Sequence, residues 1–254
     1  MERESELESR HLEQVSPNSP PGAAPDWDSA PNIPMALLIV LMLLPWVWVY
    51  LGLSVLNDYR LTILMYEILG CLVPVLLLGG YRLPIWPLRF NLAWILLLAT
   101  TIGSLIIIVF RISNGFSMNW TVFHAQAQAT QLVVDNYFWF FAFIIVLVNP
   151  FLEEAFWRGL IYRAWRARIG TLGARWVSSF FFGAWHWVVL SHYCHSVWAV
   201  VLTILVMFGG VVFCILYERS GTLAAPALMH GLGADSPMIY VVYYCVTHAV
   251  NYPL

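Results

Sequence analysis

From Met35 onward the chain is written in apolar runs of about twenty residues, the length that crosses the core of a bilayer, separated by short polar breaks. Hydrophobic residues fill 61% of its 254 positions and charged residues 10%, where an ordinary soluble domain carries about a quarter charged. That balance excludes a soluble globular domain, a disordered chain and a collagen. The four cysteines are too scattered for a disulfide scaffold, and a net charge of −2 excludes a basic nucleic-acid binder. What remains is an all-α, polytopic integral membrane protein.

Eight candidate spans follow, near 35–56, 61–79, 91–110, 137–162, 175–190, 196–216, 222–234 and 237–250. The last two are short, as broken helices are where backbone faces protein or a wet cavity instead of lipid. Residues 1–34 hold seven of the fourteen acids and are otherwise rich in Ser, Pro, Asn and Ala, which reads as a disordered tail. No basic stretch immediately precedes the first apolar run, and that run has full span length, so it is a membrane span and not a signal peptide. Cys71, Cys194, Cys214 and Cys245 have no CxxC spacing and read as buried free thiols.

All twelve basic residues are arginine. Arg82, Arg89, Arg163, Arg166, Arg168, Arg175 and Arg219 fall in one set of alternating loops, Arg60 and Arg111 in the other. The bias puts the first set and both termini in the cytoplasm. Residues 113–136, with an Ala/Gln stretch from Ala125 to Gln131, then form an external helix or loop.

Half of the acids lie in the tail, so a carboxylate inside an apolar run needs a reason. The fourth span contains Glu153, Glu154 and Arg158. Glu154 and Arg158 stand at i and i+4, where side chains meet and neutralise each other. Glu153 points about 100° away and is left without that partner. His186 lies on the fifth span and His230 on the seventh. At about 1.5 Å per residue, Glu153 is roughly 15 Å from Arg163, His186 roughly 16 Å from Arg175 and His230 roughly 12 Å from Thr222. Three spans thus bring polar groups to one depth, which favours a buried site with a general base and two proton carriers. Glu67 either lines the same cavity or sits at an interface, and no catalytic role is assigned to it. His192 and His195 follow the fifth span on the external side and read as surface histidines.

The order Glu153-Glu154-x-x-x-Arg158, Phe182-x-x-x-His186 and His230 on eight spans resembles the CAAX protease and bacteriocin-processing (CPBP, or Abi) family of intramembrane glutamic endopeptidases. The resemblance covers about 137–235, the motif core of a protease domain spanning 35–254. It implies metal-independent hydrolysis of a peptide or membrane-anchored protein. Glu153 would activate water, His186 would share it, His230 would hold the oxyanion, and Glu154 and Arg158 would shape the site. The family usually has Asn or Asp four residues after the last histidine, where this chain has Ala234, with Asp235 one step on. Either Gly231 and Gly233 loosen the backbone enough for Asp235 to serve, or the oxyanion site is incomplete.

Three other readings use the same residues. Glu154, His186 and His230 are of the types that bind Zn²⁺, although there is no HExxH motif. A scaffold or immunity protein would keep the fold without turnover. A proton-coupled transporter would use the same buried groups as a relay. The lysine-free composition favours a bacterial inner membrane.

Overall fold

The computed structural model describes residues 31–78, 91–113, 118–122, 125 and 136–248. These form seven long helices: α1 (Met35–Val55), α2 (Tyr59–Leu78), α3 (Leu92–Ile112), α4 (136–169), α5 (171–193), α6 (Ser196–Ser220) and α7 (224–248). Among the described residues the only β pairing is one isolated bridge, Met118 to Cys194. Five helical stretches are long and apolar enough to cross a membrane, including a continuous Phe138–Tyr193. Gly170, at φ 75° and ψ 175°, bends that stretch into α4 and α5. A glycine suits the bend because a Cβ is disfavoured at such a positive φ.

The expected spans 222–234 and 237–250 are one helix, α7. It turns over a five-residue π-helical segment, Gly231–Asp235, in which the Ser236 N–H reaches the Gly231 carbonyl. Its polar residues made it look broken in the sequence, yet the backbone runs on. At its far end Arg111 donates to the Tyr240 hydroxyl at 3.4 Å and stacks 4.9 Å from the Tyr244 ring. This end of α7 is thus level with the Arg111 end of α3.

One local pattern recurs in three helices. Segments Met65–Leu72, Ile144–Val148 and Gly231–Asp235 are π-helical, and each ends two residues before a proline: Pro74, Pro150 and Pro237. Proline lacks the N–H for the carbonyl four residues back and its ring collides with that carbonyl, so the ladder must open there. An i→i+5 turn absorbs the break while the helix continues. The three widened turns carry or adjoin Glu67, Glu153 and Asp235 respectively.

Other local signals fix the ends. Asp58 caps α2, accepting from the backbone N–H groups of Arg60 and Leu61 at 2.9 and 3.1 Å. Gly221 closes α6 in the left-handed conformation, its N–H reaching the Tyr217 carbonyl at 2.8 Å. At the arginine-rich face, Arg175 forks onto Glu218, which also accepts from the Tyr162 hydroxyl, tying α4, α5 and α6 together. Leu76, Trp94, Leu105, Val197 and Leu205 point outward and exposed, as lipid contact requires. All four cysteines are free and buried.

The expected tail, 1–34, lies outside the described residues up to 30. Its end is packed, not free: Ile33 is buried and its carbonyl accepts from the Arg168 guanidinium. Most of the Ala/Gln stretch also lies outside the described residues.

Candidate active site

The site begins where Pro150 opens α4. Gly231 of α7 packs against the Val146 carbonyl, the one Pro150 cannot satisfy, so closely that a Cβ there would overlap the oxygen. Close backbone approach through a small residue is the usual way membrane helices meet. It brings His230 onto the turn that carries Glu153 and Glu154.

Glu154 Oε1 accepts from Arg158 Nη1 at 2.9 Å and from His230 Nδ1 at 3.1 Å, and both Glu154 and Arg158 are fully buried. Arg158 also donates through Nη2 to the Gly210 carbonyl at 3.1 Å. Its guanidinium carbon lies 4.4 Å from the Phe182 ring and 5.1 Å from the Phe213 ring, so π faces meet charge that the carboxylate leaves uncovered. With Nδ1 held by Glu154, His230 turns Nε2 toward Glu153 Oε2 at 3.8 Å and Asp235 Oδ1 at 3.6 Å. A carboxylate on one ring nitrogen fixes what the other nitrogen offers. Phe213 stacks on the His230 ring at 5.0 Å.

Asp235 therefore does reach the site, against the direction a regular helix would give it. In the π-helical turn residue i+5 stands roughly where i+4 stands in an α-helix, so Asp235 takes the direction that Ala234 would have had. Asn149 holds it from α4, Nδ2 to Oδ2 at 3.2 Å.

His186 joins from α5. Its Nδ1 bonds the Phe182 carbonyl at 2.7 Å, which leaves Nε2 for other work. Its ring lies 3.8 Å from Trp185 and 4.9 Å from Phe182, and Phe182 is also 5.8 Å from His230. The structure thus brings together Glu153, Glu154, Arg158, His230 and Asp235, with His186 joined to them across the Phe182 ring. His192 and His195 lie at the other end, His192 in the last turn of α5 and His195 just before α6.

Glu153 is 2% exposed and its Oε2 has no hydrogen-bond partner; Glu154 Oε2 and Arg158 Nε share that condition, but those two side chains are anchored to each other through Oε1 and Nη1. The Tyr66 hydroxyl interacts with Glu153 and accepts from Trp157 Nε1 at 3.4 Å. Tyr66, Asn149, Phe213 and the Gly210 carbonyl had no assigned role in the sequence reading. Asn149 carried a signal, being a polar residue one turn before Glu153 in an apolar run. Tyr66 had only its position beside Glu67.

On the arginine-poor side the helices part around an apolar cavity of about 630 Å³ lined by Ile145 and Ala142 of α4, Val189 of α5 and Met238 of α7. Along the helix axes these residues lie about 5 to 17 Å beyond His186, Glu153 and His230. Among the described residues no three His, Cys, Asp or Glu side chains are grouped as a metal ion needs them.

Residues 135–233 match the family model described as type II CAAX prenyl endopeptidase Rce1-like. Over that segment the resemblance drawn from the paired glutamates and the two histidines is borne out. No curated protein and no solved structure matches the chain.

Proposed function

We propose that the protein is an intramembrane endopeptidase that hydrolyses a peptide bond of a membrane-anchored peptide or protein with a water activated by Glu153. The observation that carries the reading is a buried carboxylate with an unpartnered oxygen beside a histidine whose other nitrogen is fixed by a second carboxylate. A water on Glu153 gives up a proton as its oxygen attacks the peptide carbonyl carbon. His186 shares that water through Nε2. His230, held from the far side by Glu154 on Nδ1, turns Nε2 to the oxyanion, with Asp235, steadied by Asn149, beside that nitrogen. The proton on Glu153 then passes to the leaving nitrogen as the C–N bond breaks. Glu154 and Arg158 keep His230 in place and have no part in proton transfer.

The matched family's description speaks of prenyl substrates. In this chain the apolar chamber has the volume and lining to take a hydrocarbon group attached to the substrate. The arginine-rich face is the cytoplasmic one, and the composition favours a bacterial plasma membrane. The scaffold reading rested on Ala234, and the π-helical turn that carries Asp235 to His230 removes that motive.

The test is cleavage of a co-expressed panel of prenylated and other membrane-anchored reporters. Wild type is compared with Glu153→Ala, His186→Ala and His230→Ala, with and without a zinc chelator. Loss in each variant with no chelator effect is the expected result. Cleavage that survives Glu153→Ala overturns the role of Glu153, and cleavage abolished by chelator moves the assignment to zinc.

A further inference from the structure

One buried acid has no part in the mechanism above. Glu67 is 5% exposed, in the middle of α2, within the widened turn Met65–Leu72 that precedes Pro74. Its Oε2 has no hydrogen-bond partner. It interacts electrostatically with Glu153 of α4 and Asp235 of α7, so it faces the same site from a third helix. Three buried carboxyl oxygens without donors, Glu67 Oε2, Glu153 Oε2 and Glu154 Oε2, therefore belong to one cluster, and Glu153 is the one of the other two that Glu67 faces, from a turn of α2 that Tyr66 docks on Trp157 of α4.

Carboxylates accept only, and two of them do nothing for each other's unmet bonds. A carboxyl in its acid form gains one O–H donor and meets that need. An acceptor left unmet in an apolar interior is costly, which favours the arrangement in which one of the two supplies a hydrogen. Tyr66, the neighbour of Glu67 in sequence, already interacts with Glu153, so this turn of α2 is built against that carboxyl.

We propose that Glu67 is a positioning residue for Glu153: in its acid form its carboxyl donates, directly or through one water, the hydrogen that Glu153 Oε2 lacks. The donated hydrogen bond uses one acceptor site of Oε2 and fixes the carboxylate, whose remaining acceptor sites take the proton from water. Glu67 touches no substrate atom and gives up no proton in the reaction. This inference rests on the reading of Glu153 as the base.

The experiment compares Glu67→Gln, Glu67→Leu and Glu67→Met with wild type on a prenylated peptide ending in a CAAX sequence, in reconstituted full-length protein. Kinetic constants and unfolding temperature are both read. Glutamine keeps an N–H donor, whereas leucine and methionine have none. The expected result is a fall in kcat of about ten- to a hundredfold for Glu67→Leu, the worth of one hydrogen bond to a charged group. KM and unfolding temperature stay unchanged, and Glu67→Gln recovers most of kcat. Glu67→Met answers the same question if the leucine variant does not accumulate. Wild-type kcat in the folded leucine or methionine variant overturns the proposal, as does a folded glutamine variant as slow as leucine. Glu153→Gln is run beside them. If it cleaves like wild type, the reading of Glu153 falls; if it is inactive while Glu67→Leu is unaffected, only the role of Glu67 falls.

Discussion

At the level of Glu153 the bundle holds four ionisable groups at 3% exposure or less, Glu153, Glu154, Arg158 and His230. A few turns away, α4, α5 and α7 line a chamber of about 630 Å³ with Ile145, Val189 and Met238. The first level depends on specific partners, because each buried charge must be answered by a named neighbour. The second depends only on shape. A substitution that removes one partner in the polar level therefore changes fold and chemistry together, while one in the chamber changes only what fits.

The largest effect is expected at Arg158. Arg158→Met leaves Glu154 charged, buried and answered only by His230, and breaking a buried pair from one side costs about 3–5 kcal/mol. The unfolding temperature in detergent and the yield of folded protein should both drop. Replacing both partners, as Glu154→Gln with Arg158→Met, should return much of that stability without returning cleavage. A single variant as stable as wild type would mean that the polar level is not held by this pair.

Glu153→Gln separates the two properties of that level. No hydrogen bond of the fold ends on its Oε2, and a glutamine carbonyl can still accept from Glu67, so the unfolding temperature should move little. Cleavage should fall by about 10²–10⁴-fold, the usual worth of a general base. Equal losses of stability and rate would instead make Glu153 one more structural partner like Glu154.

This contrast was only partly legible in the sequence. The polar level could be read because a carboxylate in an apolar run is conspicuous, and helix depth alone aligned Glu153, His186 and His230. Asp235, one step past Ala234, would stand about 100° away from the expected direction on a regular helix. Pro237, two positions after Asp235, is the local sign that the helix opens, as Pro150 is for α4 and Pro74 for α2. The split of 222–250 into two spans has the same origin: His230, Asp235 and two glycines lower the hydropathy of a helix that carries a site. The chamber left no pattern at all, since its residues are the same Leu, Ile, Val and Phe that face lipid elsewhere. Only the packing of several helices distinguishes them.

Where the two levels meet, Gly231 offers a smaller test. A Cβ there overlaps the Val146 carbonyl, so Gly231→Ala should cost about 1–3 kcal/mol, as overpacking does, and slow cleavage by shifting His230 and Asp235. Gly209→Ala, with nothing within 4 Å of its Cβ, should leave stability unchanged or slightly raised, because alanine is the better helix former. Equal behaviour of the two variants would show that the approach of α4 and α7 does not hold the site together.

The smallest effect is expected in the chamber and depends on substrate. Ala142 is 7% exposed and lines the cavity, so Ala142→Leu fills part of it without adding a polar group. If the chamber holds a hydrocarbon group, the variant displaces the part of that group nearest α4. At about 0.8 kcal/mol per buried methylene, losing one or two such contacts raises KM for a prenylated reporter by roughly four- to fifteenfold. The same reporter without the prenyl group makes no use of the chamber and should show no change. Both should keep kcat, because Ala142 lies about 16 Å along α4 from Glu153. An equal rise in KM for the two reporters would assign the chamber to the peptide itself. A fall in kcat for both would mean that chamber and polar level are coupled through α4, and the distinction between shape and partner would then fail at the helix they share.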